Sequence, residues 1–271
     1  LGTATAPPNS VILALALFLT GFVMGPVLQK AYDDGIKPLV ANQITVEQAF
    51  ERAAPPASAS RTAASVAAIA HAKAMGTKVT AEASPHHLLL TEEAVRGGDT
   101  HFKMNPPLRT EIDRQAVVAG LIDGTLDVVA TDHAPHAPDE KEVPFEQAPM
   151  GTTGLECAFS AIYTGLVEPG MLPLATLIDR MTIGAELFEE RRPKIGVGEP
   201  ANLVLIELDR EWTVGADRKG FENGYQSRSQ NCCFAGRKLK AQIQFTVAAG
   251  SVVFDHLGSE TGEPLFAAVA G

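Results

Sequence analysis

The stretch Leu126-Asp127-Val128-Val129-Ala130-Thr131-Asp132-His133-Ala134-Pro135-His136 decides the fold. Apart from Asp127, residues 126–131 form a largely apolar run of strand length, and such runs are typical of parallel strands that are covered on both faces. Polar side chains follow at once, at the end of the strand where parallel α/β folds place their active sites. The pattern therefore indicates a buried parallel strand whose carboxyl end carries chemistry.

Asp132 and His136 are the candidate functional residues of this stretch. A carboxylate at a strand end can ligate a divalent metal ion and can also accept a proton from metal-bound water. His136 follows in a loop interrupted by Pro135, where its ring can hydrogen-bond a substrate. The alternative is structural, with Asp132 as the cap of the next helix and His133 and His136 as surface loop residues. The spacing leaves both interpretations open.

Helical and strand patterns alternate along the middle of the chain. Apolar spacing predicts helices over 62–75, 111–123, 155–166 and 174–188, with glycines at 76 and 124 ending the first two. Residues 78–83 alternate like a short strand. Because strands and helices follow one another in series, the sequence predicts an α/β domain with parallel strands over 61–195.

The regions on either side differ in composition. Residues 53–60 are rich in Ala, Pro and Ser, which favours a linker at the end of an N-terminal part covering 1–60. After a turn cluster at 196–200, strands are predicted over 201–207, 240–248 and 251–255. We therefore expect a small β module over 196–271.

The N-terminal part contains an uncharged apolar run over 11–28. Its length is marginal for a bilayer span, and no positive charge precedes Lys30, as a signal peptide would require. Three interpretations stay open: an N-terminal apolar helix that spans a membrane, a buried or partner-covered helix, and a disordered remnant. Residues 22–30 are similar to the last helix of the membrane subunits of tripartite tricarboxylate transporters. The first residue is Leu1 rather than Met, which indicates a fragment or a processed product.

Composition narrows the class of protein. A chain of 271 residues that is 45% hydrophobic can bury a sizeable core. The net charge of −10 argues against nucleic-acid binding, which needs a surplus of Lys and Arg. Cys157, Cys232 and Cys233 show neither disulfide nor zinc-site spacing, so we expect small buried side chains in a reducing, cytoplasmic protein.

Three further segments are candidates for binding. The prolines after Asn105 fix the loop backbone, so its amide can recognise the C=O and N–H edge of a ureide or imide. Glycines at 151 and 154 let a backbone approach a ligand closely. Residues 84–87 carry the pair His86 and His87 after a strand. Adjacent residues on a strand point to opposite faces, so we expect a structural or loop role for both.

In this order, the motifs resemble those of the bacterial dihydroorotases of the amidohydrolase superfamily. The likeness runs from about Arg61 to about Asp255. The matching segments are 81–91 (Ala-Glu-Ala-Ser-Pro-His-His-Leu-Leu-Leu-Thr), 105–109 (Asn-Pro-Pro-Leu-Arg), 130–136 (Ala-Thr-Asp-His-Ala-Pro-His), 149–151 with 154–156, 196–204 and 227–231.

The resemblance implies the C-terminal part of a metal-dependent (β/α)8 barrel followed by a small β module. It implies that Asp132 is a zinc ligand and the general base, and that Asn105, His136 and the backbone at Met150 and Gly151 contact the substrate. In the family, a metal-activated hydroxide opens the ring amide of dihydroorotate to give N-carbamoyl-aspartate, and the reverse step serves pyrimidine biosynthesis.

The chain also departs from the family pattern. No His-x-His pair precedes residue 61, and Ala59 stands where the family has a metal-binding histidine, so of the usual ligands only Asp132 is present. We therefore expect a truncated and impaired enzyme as the chain stands. The alternatives are a hydantoinase or allantoinase relative and a non-catalytic scaffold for aspartate transcarbamoylase; a homo-oligomer is a further partner expectation.

Overall fold

The computed structural model describes residues 62–187, 194–216 and 224–256, together with Lys37. Contacts between Cα atoms divide the chain into two compact units, Leu1–Ser58 and Ala59–Gly271, and the elements below belong to the second. The apolar helix predicted over 11–28 and the linker at 53–60 lie outside the described residues. Within the described ranges, no helix combines the length and apolar character that crossing a bilayer requires.

Short helices and strands alternate along this unit. The helices are α1 (Ala63–Ala74), α2 (Pro85–Leu89), α3 (Glu111–Asp123), α4 (Pro138–Lys141), α5 (Ala158–Ile162), α6 (Leu174–Thr182) and α7 (Gly184–Leu187). The strands are β1 (Glu82–Ala83), β2 (Val128–Val129), β3 (Leu203–Glu207), β4 (Trp212–Thr213), β5 (Lys238–Leu239), β6 (Gln242–Ala248) and β7 (Ser251–Asp255). Two 3₁₀ turns, Glu92–Val95 and Thr100–Phe102, connect α2 to the segment before α3.

Local capping signals set the two longest helices. The Thr62 side chain accepts from Ser65 N, and the Ser65 hydroxyl accepts from Thr62 N, which is a reciprocal capping box. Thr110 caps α3, and Gly124 ends it in the left-handed conformation at φ 89°. The helices predicted over 62–75 and 111–123 are therefore confirmed.

Strands β1 and β2 form a parallel pair. Glu82 lies opposite Val128 and Ala83 opposite Val129. Both strands are shorter than predicted. Just before them, a side chain instead of a backbone carbonyl accepts one of the hydrogen bonds between the two segments. The Asp127 carboxylate accepts from Ala81 N at 2.8 Å and also binds Lys73 Nζ of α1. These two strands lie edge to edge with their carboxyl ends at the same side, which is the arrangement of neighbouring barrel strands.

Two predicted helices differ from expectation. The helix predicted over 155–166 begins at Ala158 and continues as a π-helical turn, Tyr163–Val167. The helix predicted over 174–188 is broken into α6 and α7 at Ile183, just before Gly184, a residue with poor helix propensity.

The C-terminal strands form two antiparallel sheets, one of order β3-β6-β7 and one pairing β4 with β5. The strands predicted over 201–207, 240–248 and 251–255 are confirmed, whereas β4 and β5 were not predicted. Side chains around β4 and β5 pack in one core with the α/β part: Leu90, Met104, Leu108, Cys157, Ala161, Val214, Tyr225, Cys232, Cys233, Phe234 and Leu239. All three cysteines are buried and free, as expected. The boundary between 195 and 196 stays a prediction.

Candidate functional site

His86 and His87 lie on α2, directly after β1. Pro85 occupies the first helical turn, and this one-turn helix brings the two rings to a centroid distance of 4.3 Å. The expectation that they point to opposite faces of a strand is wrong. Serine followed by proline is a helix-start signal, and it could have shown this turn in the sequence.

A hydrogen-bonded chain links these rings. His87 Nε2 donates to Pro106 O at 2.9 Å, so its Nδ1 accepts from the Ser84 hydroxyl at 2.7 Å in the neutral ring. His86 Nε2 then donates to Ser84 Oγ at 3.2 Å. Both rings are almost fully buried. This series of hydrogen bonds connects the end of β1 to the Asn105–Pro106 segment. It supports the structural role that we expected for His86 and His87.

Asp132 follows β2 and lies beside the same histidine pair. Its backbone has φ 51°, in the left-handed region that few residues other than glycine adopt. Its Oδ2 lies 3.7 Å from His86 Nε2, and half of its side chain is exposed. Helix α4 begins at Pro138, where Glu140 accepts from Ala137 N. Asp132 therefore does not cap that helix, and its carboxylate remains accessible from solvent at the strand end.

Asn105 precedes Pro106, whose carbonyl accepts the hydrogen bond from His87. Asn105 is exposed, and the peptide bond between it and Pro106 is cis. Because Pro106 O accepts from His87, the position of Asn105 is coupled to the strand end that carries Asp132. The structure thus brings these two predicted residues to neighbouring loops.

His136 and Met150 meet across two loops. His136 Nε2 donates to Met150 O at 2.9 Å, and its Nδ1 lies 3.6 Å from Glu140 Oε2. Gly151 donates its N–H to Lys103 O at 2.8 Å, two residues before Asn105. His133, beside Asp132, accepts from Gly154 N and Leu155 N through its Nδ1, so it is a structural residue.

Asn231 joins these loops, and it was not predicted as a site residue. Its side chain accepts from His136 N at 3.1 Å and donates to Ala134 O at 2.9 Å and to Gly151 O at 3.3 Å. It is 3% exposed. It lies in an irregular segment far along the chain, where no periodicity or motif spacing marks it. The likeness of 227–231 to the family was the one signal available.

Close backbone approach explains the glycine at 154. A Cβ on Gly154 would lie 2.8 Å from Thr131 O, at the end of the β2 segment. A side chain there would push this loop away from the strand end, because real Cβ atoms do not approach a backbone oxygen so closely. The loop that contains Gly154 therefore packs against the segment that follows β2, beside Asp132.

The described residues do not fit a catalytic zinc ion. Over 62–187, 194–216 and 224–256, no three His, Cys, Asp or Glu side chains are grouped as metal ligands. Asp132 has His86 as a neighbour, but His86 Nε2 is already bonded to Ser84. A catalytic zinc needs about three protein ligands. One exposed carboxylate falls short of that number.

Two lysines hold the loop that carries Met150. Lys103 Nζ donates to Phe145 O and Ala148 O, each at 2.7 Å, and to Glu146 O at 3.0 Å. The buried Lys141 donates to Thr100 O at 3.0 Å and to Pro149 O at 2.9 Å. Backbone carbonyls thus take the place of carboxylate partners, and they fix the path of the loop into the site.

The stability contribution of Lys141 should depend on pH. Burial lowers the pKa of Lys141 from 10.5, and the nearby Lys103 charge lowers it further. Between the lowered pKa and 10.5 the unfolded chain therefore holds more protons, so this group makes the folded state more stable as pH rises. A neutral amine still has two N–H groups for its two carbonyl partners. Urea titrations give the free energy of unfolding of the wild type and of Lys141→Met at each pH. We expect the difference, wild type minus variant, to increase between pH 7 and pH 10.

The matched control for this measurement is Lys78→Met, which removes a lysine from an exposed position. It reports the general effect of losing one positive charge at each pH. A Lys141→Met difference that shrank with pH relative to this control would contradict the assignment.

Hydantoinases of known structure share this fold. The L-hydantoinase (dihydropyrimidinase) from Arthrobacter aurescens matches with a TM-score of 0.65 and 22% identity, over 87% of this chain and 55% of that one. The dihydropyrimidinase from Brevibacillus agri matches with a TM-score of 0.64 and 20% identity, over 86% and 55%. Over the matched part, this chain thus has the α/β fold of these hydantoinases.

Curated relatives show which enzymes this chain resembles in sequence. The dihydroorotase of Listeria welshimeri is 44% identical over 191 residues, which are 70% of this chain and 43% of the relative. That of Shouchella clausii is 45% identical over 191 residues, again 70% and 43%. The chain spans less than half of the length of these relatives. The matched part is similar to these dihydroorotases and is consistent with their C-terminal portion.

The N-terminal region matches a different family. A family model described as the FliP family matches residues 1–91. The family model that covers 22–30 is therefore FliP rather than a tricarboxylate transporter subunit. Since this match covers less than half of the 271 residues, it assigns no family to the chain as a whole.

Proposed function

We propose that the chain carries the ring-binding and proton-transfer side of a dihydroorotase, an enzyme that interconverts dihydroorotate and N-carbamoyl-aspartate. One observation carries the proposal: four segments that are far apart in sequence converge at the carboxyl end of β2. They are the segments of His86 and His87, of Asn105, of Asp132 to His136, and of Met150 and Gly151.

The ring would be held by amide and carbonyl groups. The exposed Asn105 amide offers one donor group and one acceptor, which match a ureide edge that displays both C=O and N–H. The carbonyls of Met150 and Gly151 each have a second lone pair beyond the one used by His136 or Asn231. His136 would contact the ring by exchanging its bond to Met150 O for one to the substrate.

Asp132 would carry the proton. In the hydrolytic direction, water adds to the ring carbonyl, the C–N bond breaks, and the ring nitrogen gains a proton. A carboxylate can take the proton from the attacking water and deliver it to that nitrogen. Its accessible position at the strand end supports this role. In the reverse direction the same group removes a proton from the ureido nitrogen and returns it to the departing water.

Zinc is the metal that the resemblance implies, and dihydroorotases and hydantoinases are metal-dependent as families. The described residues do not fit a zinc ion, since they offer fewer grouped ligands than a catalytic zinc needs. We therefore expect this chain to bind the ring ligand and, assayed alone, to show neither stoichiometric zinc nor measurable turnover.

The test is binding together with turnover. By calorimetry, we expect dihydroorotate to bind and Asn105→Ala to weaken it by about tenfold, since the amide supplies two hydrogen bonds. Asp132→Asn should not weaken binding, because it removes a negative charge that faces an anionic ligand. Cyclisation of N-carbamoyl-aspartate is then measured with and without added Zn²⁺.

The control for Asn105→Ala is Asn202→Ala, at an exposed asparagine next to β3 whose amide oxygen accepts from Ala249 N. It should bind like the wild type. No binding of dihydroorotate by the wild type would overturn the proposal. Stoichiometric zinc with turnover that Asp132→Asn abolishes would support the enzyme and contradict our reading of the metal site.

Hydantoin and allantoin, assayed beside dihydroorotate, test the hydantoinase or allantoinase alternative. That alternative has weaker support, since the solved hydantoinases are 20–22% identical to this chain and the dihydroorotases about 44%.

A second candidate is a non-catalytic scaffold for aspartate transcarbamoylase. The shortage of metal ligands among the described residues favours it. Co-purification with a transcarbamoylase, unaffected by Asp132→Ala, would identify this role, and size-exclusion chromatography would show whether a homo-oligomer forms. The three free cysteines support a cytoplasmic location.

A further inference from the structure

We infer that Asn231 is a positioning residue that sets the distance between the two loops of the ring-binding site. The inference rests on the proposed function for the identity of the ligand. The geometric part, a clamp between the segment 134–136 and the segment 150–153, stands on the hydrogen bonds alone.

The clamp uses the whole Asn231 amide. One acceptor bond reaches His136 N, and two donor bonds reach Ala134 O and Gly151 O, at 3.1, 2.9 and 3.3 Å. A single side chain thus bonds the backbone of both loops. At 3% exposure, water has little access to replace these bonds. A buried amide that lost them would leave several polar groups unpaired.

The Asn231 backbone is held as firmly as its side chain. Its carbonyl accepts from Thr153 N at 2.9 Å and from the Thr152 hydroxyl at 3.0 Å, and that hydroxyl accepts in turn from Cys233 N. Ala134 N donates to Thr152 O at 2.9 Å. The backbone of Asn231 is therefore fixed by buried hydrogen bonds to Thr152 and Thr153. Rotation of its side chain is restricted.

The clamp acts on the groups that are proposed to hold the ring. His136 N and Gly151 O are bonded directly, while Met150 O is bonded to the His136 ring. Asn231 itself is buried, so it works through these groups rather than by touching the ligand. Loosening it should let the two loops separate, which lowers ligand affinity without removing a ligand-binding group.

Two variants divide the clamp into its parts. Asn231→Asp keeps an acceptor for His136 N but turns a carboxylate oxygen toward the two carbonyls, which repel it. Asn231→Ala removes all three bonds. The control is Asn202→Asp, which likewise keeps an acceptor for a backbone N–H, from Ala249, outside this site.

Two quantities are measured on the full chain. NMR gives the rates of amide hydrogen exchange, and a titration gives the affinity for dihydroorotate. We expect exchange at His136 N–H to rise about tenfold or more in Asn231→Ala, with a smaller rise in Asn231→Asp, and dihydroorotate to bind about tenfold more weakly in both. Exchange in helix α3 should stay within about twofold of the wild type. Asn202→Asp should match the wild type in exchange at His136, in exchange in α3 and in affinity for dihydroorotate.

Several results would overturn the inference. Exchange that rises equally in α3 and at His136 would mark Asn231 as a general stability residue. A local rise with unchanged dihydroorotate affinity would show that the clamp does not position the ligand groups. If the wild type binds no dihydroorotate, the proposed function fails. The clamp is then judged by exchange alone: a rise confined to 134–136 and 150–153 supports it, and any other pattern overturns it.

Discussion

Phe234→Ala should destabilise the protein by about 3–5 kcal/mol, the range for truncation of a buried aromatic side chain. Phe234 is 2% exposed and packs in the core that joins β5 to the α/β part. Its loss leaves a cavity between groups that are far apart in sequence. The Arg237 guanidinium, 5.6 Å from the ring centroid, also loses its aromatic partner. Urea unfolding measures the change in free energy.

The same variant tests whether the C-terminal strands fold with the α/β part. Because the core contains Leu90 and Ala161 as well as Val214 and Leu239, we expect the β4–β5 region and the α/β part to unfold in one transition that shifts as a whole. The thiols of Cys232 and Cys233 should become reactive to Ellman's reagent at a lower urea concentration. Ile112→Ala, at a 74% exposed position, is the control and should change stability by less than about 0.5 kcal/mol. Separate transitions for the β4–β5 region and the α/β part would contradict a shared core.

The parts of the fold that were predictable have local causes. Helices α1 and α3 are set by threonine caps and terminal glycines a few residues away, so sequence spacing was sufficient to predict them. Strands β4 and β5 hold two residues each and form because Trp212 lies opposite Leu239. No two-residue pattern can show such a long-range pairing. The turn at Pro85 had a local signal, but the preceding strand pattern outweighed it in our interpretation.

The candidate site divides in the same way. Asp132 was predictable because it follows an apolar strand, and Asn105 because prolines fix its loop. Asn231 was not, since its partners Ala134 and Gly151 lie 97 and 80 positions away. Its importance comes from geometry that exists only in the folded chain. The residues proposed to bind the ligand thus had signals in their local sequence, whereas Asn231 had only the likeness of 227–231 to the family.

Gly151→Ala should cost about 2–4 kcal/mol, from two sources that add. Gly151 has φ 116°, a conformation that side-chain-bearing residues rarely adopt. A Cβ there would also lie 2.5 Å from the Ala134 Cβ, far inside contact distance, so the two loops would have to separate. Urea unfolding gives the total cost, and Gly170→Ala gives a reference for a side chain placed at a positive φ in open space. Gly170 has φ 79° with open space around it, so it should cost about 1 kcal/mol.

Ala134→Gly in the Gly151→Ala background separates the two sources directly. It removes the clashing methyl group while leaving the strained backbone at 151 in place. The pair should therefore show a favourable coupling free energy of about 1–2 kcal/mol in a double-mutant cycle. Dihydroorotate affinity, reduced in Gly151→Ala because the loops are forced apart, should recover in the double variant. Purely additive effects would mean that the loops do not meet at these two residues. The Asn231 clamp would then span a wider gap than the 2.9 and 3.3 Å bonds to Ala134 O and Gly151 O require.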